Sequence, residues 1–153
     1  MTPVRGKGET MAIIQLSVFL ENRLGRLNDV LSVLSKNGIN IRALSLADKA
    51  SYGILRLIVN DASAGIKALK DESVSVNSTP VIAAEVDDEP GGLLKILSIM
   101  LASGLNVEYM YAFVEKTGDK AVVVFRVEET EKAESLLKEK NITLLEEKEL
   151  ATF

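Results

Sequence analysis

The sequence predicts an α+β fold in which one β-α-β-β-α-β unit occurs twice in tandem. A shift of 66 positions places like residues on one another: Gly25 on Gly91, Leu31 on Leu97, Gly38 on Gly104 and Asn40 on Asn106. Apolar residues also alternate between strand and helix periods in the same order in both halves. The chain has 153 residues, 47% of them hydrophobic, which is enough to bury a core.

The first half opens with a strand and a helix. Apolar residues recur at every second position within 12–20, as expected for a strand with one buried face. A helix is predicted next, because its apolar face is spaced as in Leu27, Val30, Leu31 and Leu34. Burying four such side chains stabilises a unit by roughly 6–12 kcal/mol before entropy is subtracted. Gly38 suits the left-handed position just after a helix.

The later elements follow from the same two periods. In the first half we predict strands at 39–46 and 53–60, a helix marked by Ala62, Ile66 and Leu69, and a final strand at about 73–78. In the second half we predict strands at 82–86, 105–113, 121–128 and 141–146. The second-half helices are marked by Leu93, Ile96, Leu97 and Met100, and by Ala133, Leu136 and Leu137.

These units are expected to be ferredoxin-like. Right-handed crossovers between parallel neighbouring strands would place both helices on one face of a four-stranded antiparallel sheet in each unit. The opposite face would then be bare, with Ile13, Phe19, Ile54 and Ile58 among Gln15, Ser17 and Arg56. Such a face is too apolar for solvent, so we expect a second copy of the chain to cover it, which predicts a homodimer.

Composition excludes several classes of function. The 18 basic and 22 acidic residues give a formal charge of -4 without a basic block, so nucleic acid is not an expected partner. The absence of cysteine and histidine removes thiolate nucleophiles, histidine bases and the usual zinc and haem ligands. No cofactor or metal is implied. The sequence carries no membrane span or signal peptide, so we expect a cytoplasmic protein without a membrane partner.

Glycines stand at the corner between the first strand and first helix of each half. A glycine inside a helix lowers stability by about 0.5–1 kcal/mol relative to alanine. The presence of Gly91 and Gly92 at the start of a helix therefore needs another explanation. Without a side chain, backbone or a ligand can approach the free N–H groups of the first helical turn, which suit a carboxylate. The neighbouring acceptors could bind an ammonium group: Glu21 and Asn22 in the first half, and Asp87, Asp88 and Glu89 in the second. A free amino acid meets both requirements.

The motifs Asn22-Arg23-Leu24-Gly25-Arg26-Leu27 and Asp88-Glu89-Pro90-Gly91-Gly92-Leu93, each followed by Gly-hydrophobe-Asn-hydrophobe, resemble those of the ACT domain, a regulatory module that binds small molecules. The resemblance implies one unit over 11–78 and another over 79–149, after a mobile tail at 1–10, with no catalytic domain. It also implies amino-acid binding between the strand-to-helix loop of one unit and the helix-to-strand region of its neighbour. The implied ligand contacts are Asn22, Arg23, Leu24, Gly25, Arg26, Asn40 and Ile41 in the first half, and Asp88, Glu89, Gly91, Gly92, Leu93, Asn106 and Val107 in the second. Leu24 and Arg26 depart from the family pattern, which points to an altered or empty first site.

Other interpretations stay open. The corner glycines could be required only by the tight corner, and Asn40 and Asn106 could form hydrogen bonds only with the backbone.

A second possible function is that of a regulatory subunit of a separate biosynthetic enzyme, since the first half resembles the acetohydroxyacid synthase small subunit. An enzyme that uses Asp88 ranks last. An RNA-recognition module shares the element order, but it needs exposed aromatic residues, and the alternation assigns Phe125 to the core.

Overall fold

A computed structural model describes residues 12–49, 51–114 and 120–151 of the chain. The tail predicted for residues 1–10 lies outside the described residues. The strands are β1 (Ile13–Glu21), β2 (Ile41–Lys49), β3 (Tyr52–Val59), β4 (Val76–Asp87), β5 (Val107–Ala112) and β6 (Lys120–Val127). The helices are α1 (Arg26–Lys36), α2 (Ala62–Asp71), α3 (Gly92–Ala102) and α4 (Thr130–Glu139), followed by a 3₁₀ helix at Glu147–Ala151. The predicted element order is confirmed up to α4, except that one strand, β4, replaces the two strands predicted between α2 and α3.

All six strands form one antiparallel sheet in the order β2-β3-β1-β4-β6-β5. This differs from the predicted pair of four-stranded sheets. The strands that each crossover joins are also not neighbours, because one antiparallel strand lies between them, as β3 lies between β1 and β2.

The two units share β4. The final strand predicted at 73–78 and the next one at 82–86 form a single strand, because no turn interrupts the chain between them. The first part of β4 pairs with β1, and the part from Ile82 onward pairs with β6. The predicted boundary between residues 78 and 79 therefore lies inside β4. The strand predicted at 141–146 is reduced to a single bridge between Leu144 and Ala84.

Each pair of helices covers its own hydrophobic core. Val30 and Leu34 of α1, and Ile96 and Met100 of α3, are buried, which confirms the predicted helix faces. Phe125 is also fully buried, as its alternation predicted. The exposed aromatic residue that an RNA-recognition module would require at this position is therefore not found.

A third core lies on the face of the sheet opposite the helices. Strand twist curls the sheet until the two halves face each other, and Ala43 of β2 forms a bridge with Phe113, just after β5. Ile13 and Ile58 are fully buried there against Val122 and Val124. The expectation of a bare face covered by a second copy is therefore wrong for most of this surface. Phe19 remains 52% exposed, stacked on Tyr52 at a centroid distance of 4.5 Å.

Polar contacts join the units beside this third core. Gln15 is fully buried, and its Nε2 donates hydrogen bonds to the Tyr109 hydroxyl at 2.8 Å and to Ser17 Oγ at 3.0 Å. The Tyr111 hydroxyl donates to Gln15 Oε1 at 2.5 Å. The guanidinium of Arg56 lies 3.7 Å from the centroid of the Tyr109 ring. The alternating tyrosines of β5 therefore pack between the two units.

No helix among the described residues is long and apolar enough to cross a membrane.

Candidate ligand-binding corners

Both predicted corners have nearly the same backbone. Gly25 precedes α1 with a φ of 88°, and Gly91 precedes α3 with a φ of 86°. Such angles are in the left-handed region, where residues with a side chain are strained. Arg23 N donates to Glu21 O at 2.9 Å, and Glu89 N donates to Asp87 O at the same distance. The internal repeat therefore extends to the hydrogen bonds of the corners.

The two corner glycines leave their helices accessible. Among the described residues, no side chain caps α1 or α3, and no atom lies within 4 Å of a Cβ placed on Gly25 or Gly91. The N–H groups of a first helical turn have no partner inside the helix. Arg26 N and Gly92 N donate to Arg23 O and Glu89 O of the corners, so the N–H groups that follow them are the ones available to an outside acceptor. These corners therefore have the open form that binding of a carboxylate requires.

Gly92 has a different role from Gly91. A Cβ at Gly92 would lie 1.9 Å from the Asp87 carbonyl oxygen, so the space beside this glycine is filled by backbone. The matching position in the first unit holds Arg26, whose side chain is 28% exposed and whose Nη1 lies 3.4 Å from Asp29 Oδ2. The close packing of strand against helix thus accounts for Gly92 without a ligand.

A pocket of about 330 Å³ opens beside the first corner. Its lining combines apolar and charged side chains: Leu20, Glu21, Asn22, Arg23, Leu27, Leu46 and Gly53. Glu21 and Arg23 form an ion pair at 3.4 Å, and both side chains are more than 60% exposed. An exposed pair of this kind contributes little to stability, so a ligand with both charges could exchange for it.

Asn40 and Ile41 lie in a second pocket of the first unit, at the other end of α1. This pocket also measures about 330 Å³, and its lining is Leu31, Leu34, Ser35, Gly38, Ile39, Asn40 and Ile41. Helix α1 has 11 residues and is about 16 Å long, so one amino acid cannot reach both ends. The structure therefore does not bring the predicted residues of this unit together in one site.

The backbone of Asn40 is held by another asparagine. Asn60 Oδ1 accepts a hydrogen bond from Asn40 N at 2.9 Å, and Asn40 O accepts one from Asn60 N at 3.1 Å. In the second unit, Asn106 is exposed and Val107 is half-buried at the start of β5. Asn60 was not singled out from the sequence, because only the folded chain places it beside Asn40.

The second corner is more strongly charged. Asp87 accepts a hydrogen bond from the Lys120 ammonium group, which holds the pKa of this carboxyl below its usual value. Lys95 lowers it further by its charge. Asp88 and Glu89 are exposed beside the turn. Among the described residues, no group of three acidic, histidine or cysteine side chains is placed to hold a metal ion.

Sequence reasoning missed several residues around these corners. Leu46 and Gly53 belong to the β2–β3 hairpin, and they reach the first corner only because β3 pairs with β1. Lys95 and Lys120 reach the second corner from α3 and β6. Of these residues, only Lys95 could have been identified from the sequence, because it is a charged residue in the first turn of a predicted helix.

Comparison with known proteins places the fold in a family. The family model described as an ACT domain pair matches residues 11–153. The chain therefore belongs to the ACT domain pair family. This match includes every described residue, which leaves no described segment for a separate catalytic domain.

Solved structures agree with this assignment. Protein BT0572 from Bacteroides thetaiotaomicron is 42% identical, with a TM-score of 0.87 over 94% of this chain and 99% of that chain. The ligand-free regulatory subunit of aspartate kinase from Thermus thermophilus is 14% identical, with a TM-score of 0.58 over 84% and 92% of the two chains. The corresponding subunit from Thermus flavus is 15% identical, with a TM-score of 0.57 over 86% and 93%. At such low identity these subunits show the fold alone. The comparison with curated proteins found no match.

Proposed function

We propose that this protein is a non-catalytic regulatory protein that binds a free amino acid at a strand-to-helix corner. The observation that supports this most directly is the first corner. There an uncapped helix start, the carboxylate of Glu21, the guanidinium of Arg23 and an apolar wall line one pocket of about 330 Å³. A pocket of this size lies at the small end of ligand-binding clefts.

The charges at this corner are complementary to a zwitterion. The first-turn N–H groups and Arg23 can bind the ligand carboxylate, and Glu21 and Asn22 can accept hydrogen bonds from its ammonium group. Leu20, Leu27 and Leu46 provide an apolar wall for a side chain. The ligand acts by shifting the populations of different arrangements of the ACT units.

A second copy of the chain would complete the site. The residues predicted to contact the ligand lie at both ends of α1, so a neighbouring unit must provide the other half. Leu24 is fully exposed at the tip of the first corner. Helix α3 also exposes Leu94 and Leu101, by 65% and 79%, whereas α1 has Asn28 and Ser35 at the matching positions. Because Leu94 lies in the first turn after Gly91, a copy that covers this face would also lie beside the second corner.

A regulatory subunit of a separate amino-acid biosynthetic enzyme is the second candidate. The exposed apolar face of α3 also favours this function, because a partner enzyme could cover it instead of a second copy. The likeness to regulatory subunits of aspartate kinase is consistent with this candidate. The cytoplasmic location expected from the sequence stays a prediction.

The test is a titration of the purified protein with each of the twenty amino acids, followed by calorimetry on the Glu21→Gln variant. A ligand at 100 times its dissociation constant raises the stability by about 2.7 kcal/mol, which a thermal-shift screen detects. We expect at least one amino acid to bind. Glu21→Gln should weaken this binding about tenfold or more, because a neutral amide oxygen replaces the charged acceptor of the ammonium group.

Glu72→Gln is the matched control, since Glu72 is exposed at the end of α2 and lines neither corner. It should leave the affinity unchanged. If no amino acid binds at millimolar concentration, the proposed function is wrong. Equal affinities of wild type and Glu21→Gln would exclude the first corner as the site.

A further inference from the structure

A smaller pocket lies beside the second corner. It measures about 130 Å³. Its polar lining comes from four parts of the second unit: Glu85 and Asp87 of β4, Lys95 of α3, Lys120 of β6, and the Asn141 and Thr143 segment. Two residues of this pocket had been suggested from the sequence, Gly92 as a ligand contact and Asp87 as an acceptor for an ammonium group.

The internal repeat explains why this pocket belongs to the second unit. The first-unit residues that match Gly92 and Lys95 are Arg26 and Asp29, which pair with each other at 3.4 Å. The Arg26 side chain is only 28% exposed, so it fills space beside the first corner. In the second unit Gly92 has no side chain, and Lys95 forms no direct ion pair with an acidic group in the described ranges 12–49, 51–114 and 120–151, although its charge lowers the pKa of Asp87.

The charges around this pocket match a zwitterion. Asp87 and Lys120 form an ion pair and neutralise each other. Lys95 and Glu85, which carry opposite charges, also line the pocket. Asn141 and Thr143 add uncharged hydrogen-bonding groups. A ligand with one carboxylate and one ammonium group would therefore be bound without an unpaired charge.

The volume limits the size of this ligand. An engineered cavity of about 150 Å³ holds benzene, which has six heavy atoms. A pocket of about 130 Å³ therefore suits five to seven heavy atoms, the range of glycine, alanine and serine. The first-corner pocket is more than twice as large and has an apolar wall, so it accepts a longer side chain.

We propose that the second unit binds a small amino acid such as glycine, alanine or serine in this pocket, separately from the ligand of the first corner. This inference rests on the proposed function in one respect, the binding of free amino acids by the chain. It adds a second site within one chain and assigns its size class.

The test is calorimetry on the full chain with glycine, L-alanine and L-serine, and with L-leucine and L-phenylalanine as larger probes. We expect at least one small amino acid to bind with one site per chain and to keep its affinity when a larger probe is saturating. Lys95→Met should weaken binding of the small amino acid about tenfold or more, because it removes the partner of the carboxylate. It should leave binding of the larger probe unchanged.

Lys70→Met is the control, since Lys70 is an exposed lysine of α2 outside both pockets. In ¹H–¹⁵N spectra, the small amino acid should shift the amide signals of Gly92 and Lys95. Competition between small and large probes for one site, or equal affinities of wild type and Lys95→Met, would overturn this inference but not the proposed function. If a larger probe binds and none of the three small amino acids does, this inference alone fails. If no amino acid binds, both fail.

Discussion

Gly92 differs from the neighbouring Gly91 because the backbone of the protein itself occupies the place of its side chain. The Asp87 carbonyl oxygen lies where a Cβ would stand, whereas the space beside Gly91 is open. The open space at Gly91 leaves conformational strain as the main effect of a substitution there. Two adjacent glycines in one motif therefore serve different purposes.

We expect Gly92→Ala to lower the free energy of unfolding by about 2–3 kcal/mol, since the added methyl group forces the end of β4 away from α3. Gly91→Ala should cost about 1 kcal/mol, from the left-handed φ alone. Urea denaturation followed by circular dichroism measures both. A Gly92→Ala variant as stable as wild type would show that the corner relaxes freely.

At the scale of elements, β1 of the first unit and β5 of the second are joined by hydrogen bonds to one buried amide. Gln15 Nε2 donates to both Tyr109 and Ser17, whereas Oε1 accepts from Tyr111. A buried polar group that loses its partner costs more than the bond contributed. The consequences of deleting each tyrosine hydroxyl therefore differ.

Tyr111→Phe should lower the free energy of unfolding by about 1–3 kcal/mol, because Gln15 Oε1 is left buried without this donor. Tyr109→Phe should cost less, since Nε2 keeps Ser17 as an acceptor. Adding Gln15→Leu to Tyr111→Phe should recover part of the loss. Chemical denaturation of the four proteins is the measurement. Equal effects of the two tyrosine variants would contradict this account.

From the buried hydroxyl of Tyr111 we predict that the protein loses stability at alkaline pH. Burial raises the pKa of Tyr111 well above its usual value. The folded state therefore keeps a proton that the unfolded state releases above pH of about 10. Stability is complete below this pH and falls as the pH rises, by up to about 1.4 kcal/mol per pH unit. Tyr111→Phe should show a smaller alkaline slope than wild type.

At the scale of the whole molecule, the curled sheet decides which surfaces remain for a partner. The inner face is largely buried by the chain itself, and the outer face of α3 is left exposed and apolar. The two units therefore differ at their helix surfaces although they share a fold.

The double substitution Leu94→Asn and Leu101→Ser gives α3 the residues that α1 has at these positions. We expect wild type to be a dimer and this variant a monomer with an unchanged circular dichroism spectrum, as measured by light scattering after size exclusion. Leu44→Asn, at an exposed leucine of β2, is the control and should remain a dimer. A variant that stays dimeric would exclude α3 as the interface. A monomeric wild type would favour a separate enzyme as the partner.

Much of the fold could be predicted because its signals are local. The helical spacing of Val30 and Leu34 is enough to predict that both are buried. The same spacing recurs at Ile96 and Met100, which indicates the duplication. The open corners at Gly25 and Gly91 were predictable for the same reason, since a left-handed residue before a helix is specified by its own neighbours.

The sequence by itself determined the element order, the duplication, the helix cores and the position of both corners. Only the tertiary structure decided that β4 is shared, that the inner faces of the two units cover each other, and that Lys95 and Lys120 meet beside Asp87. Periodicity records which side of an element is buried, but not which distant surface buries it. That choice depends on sheet twist and on contacts between residues far apart in the chain.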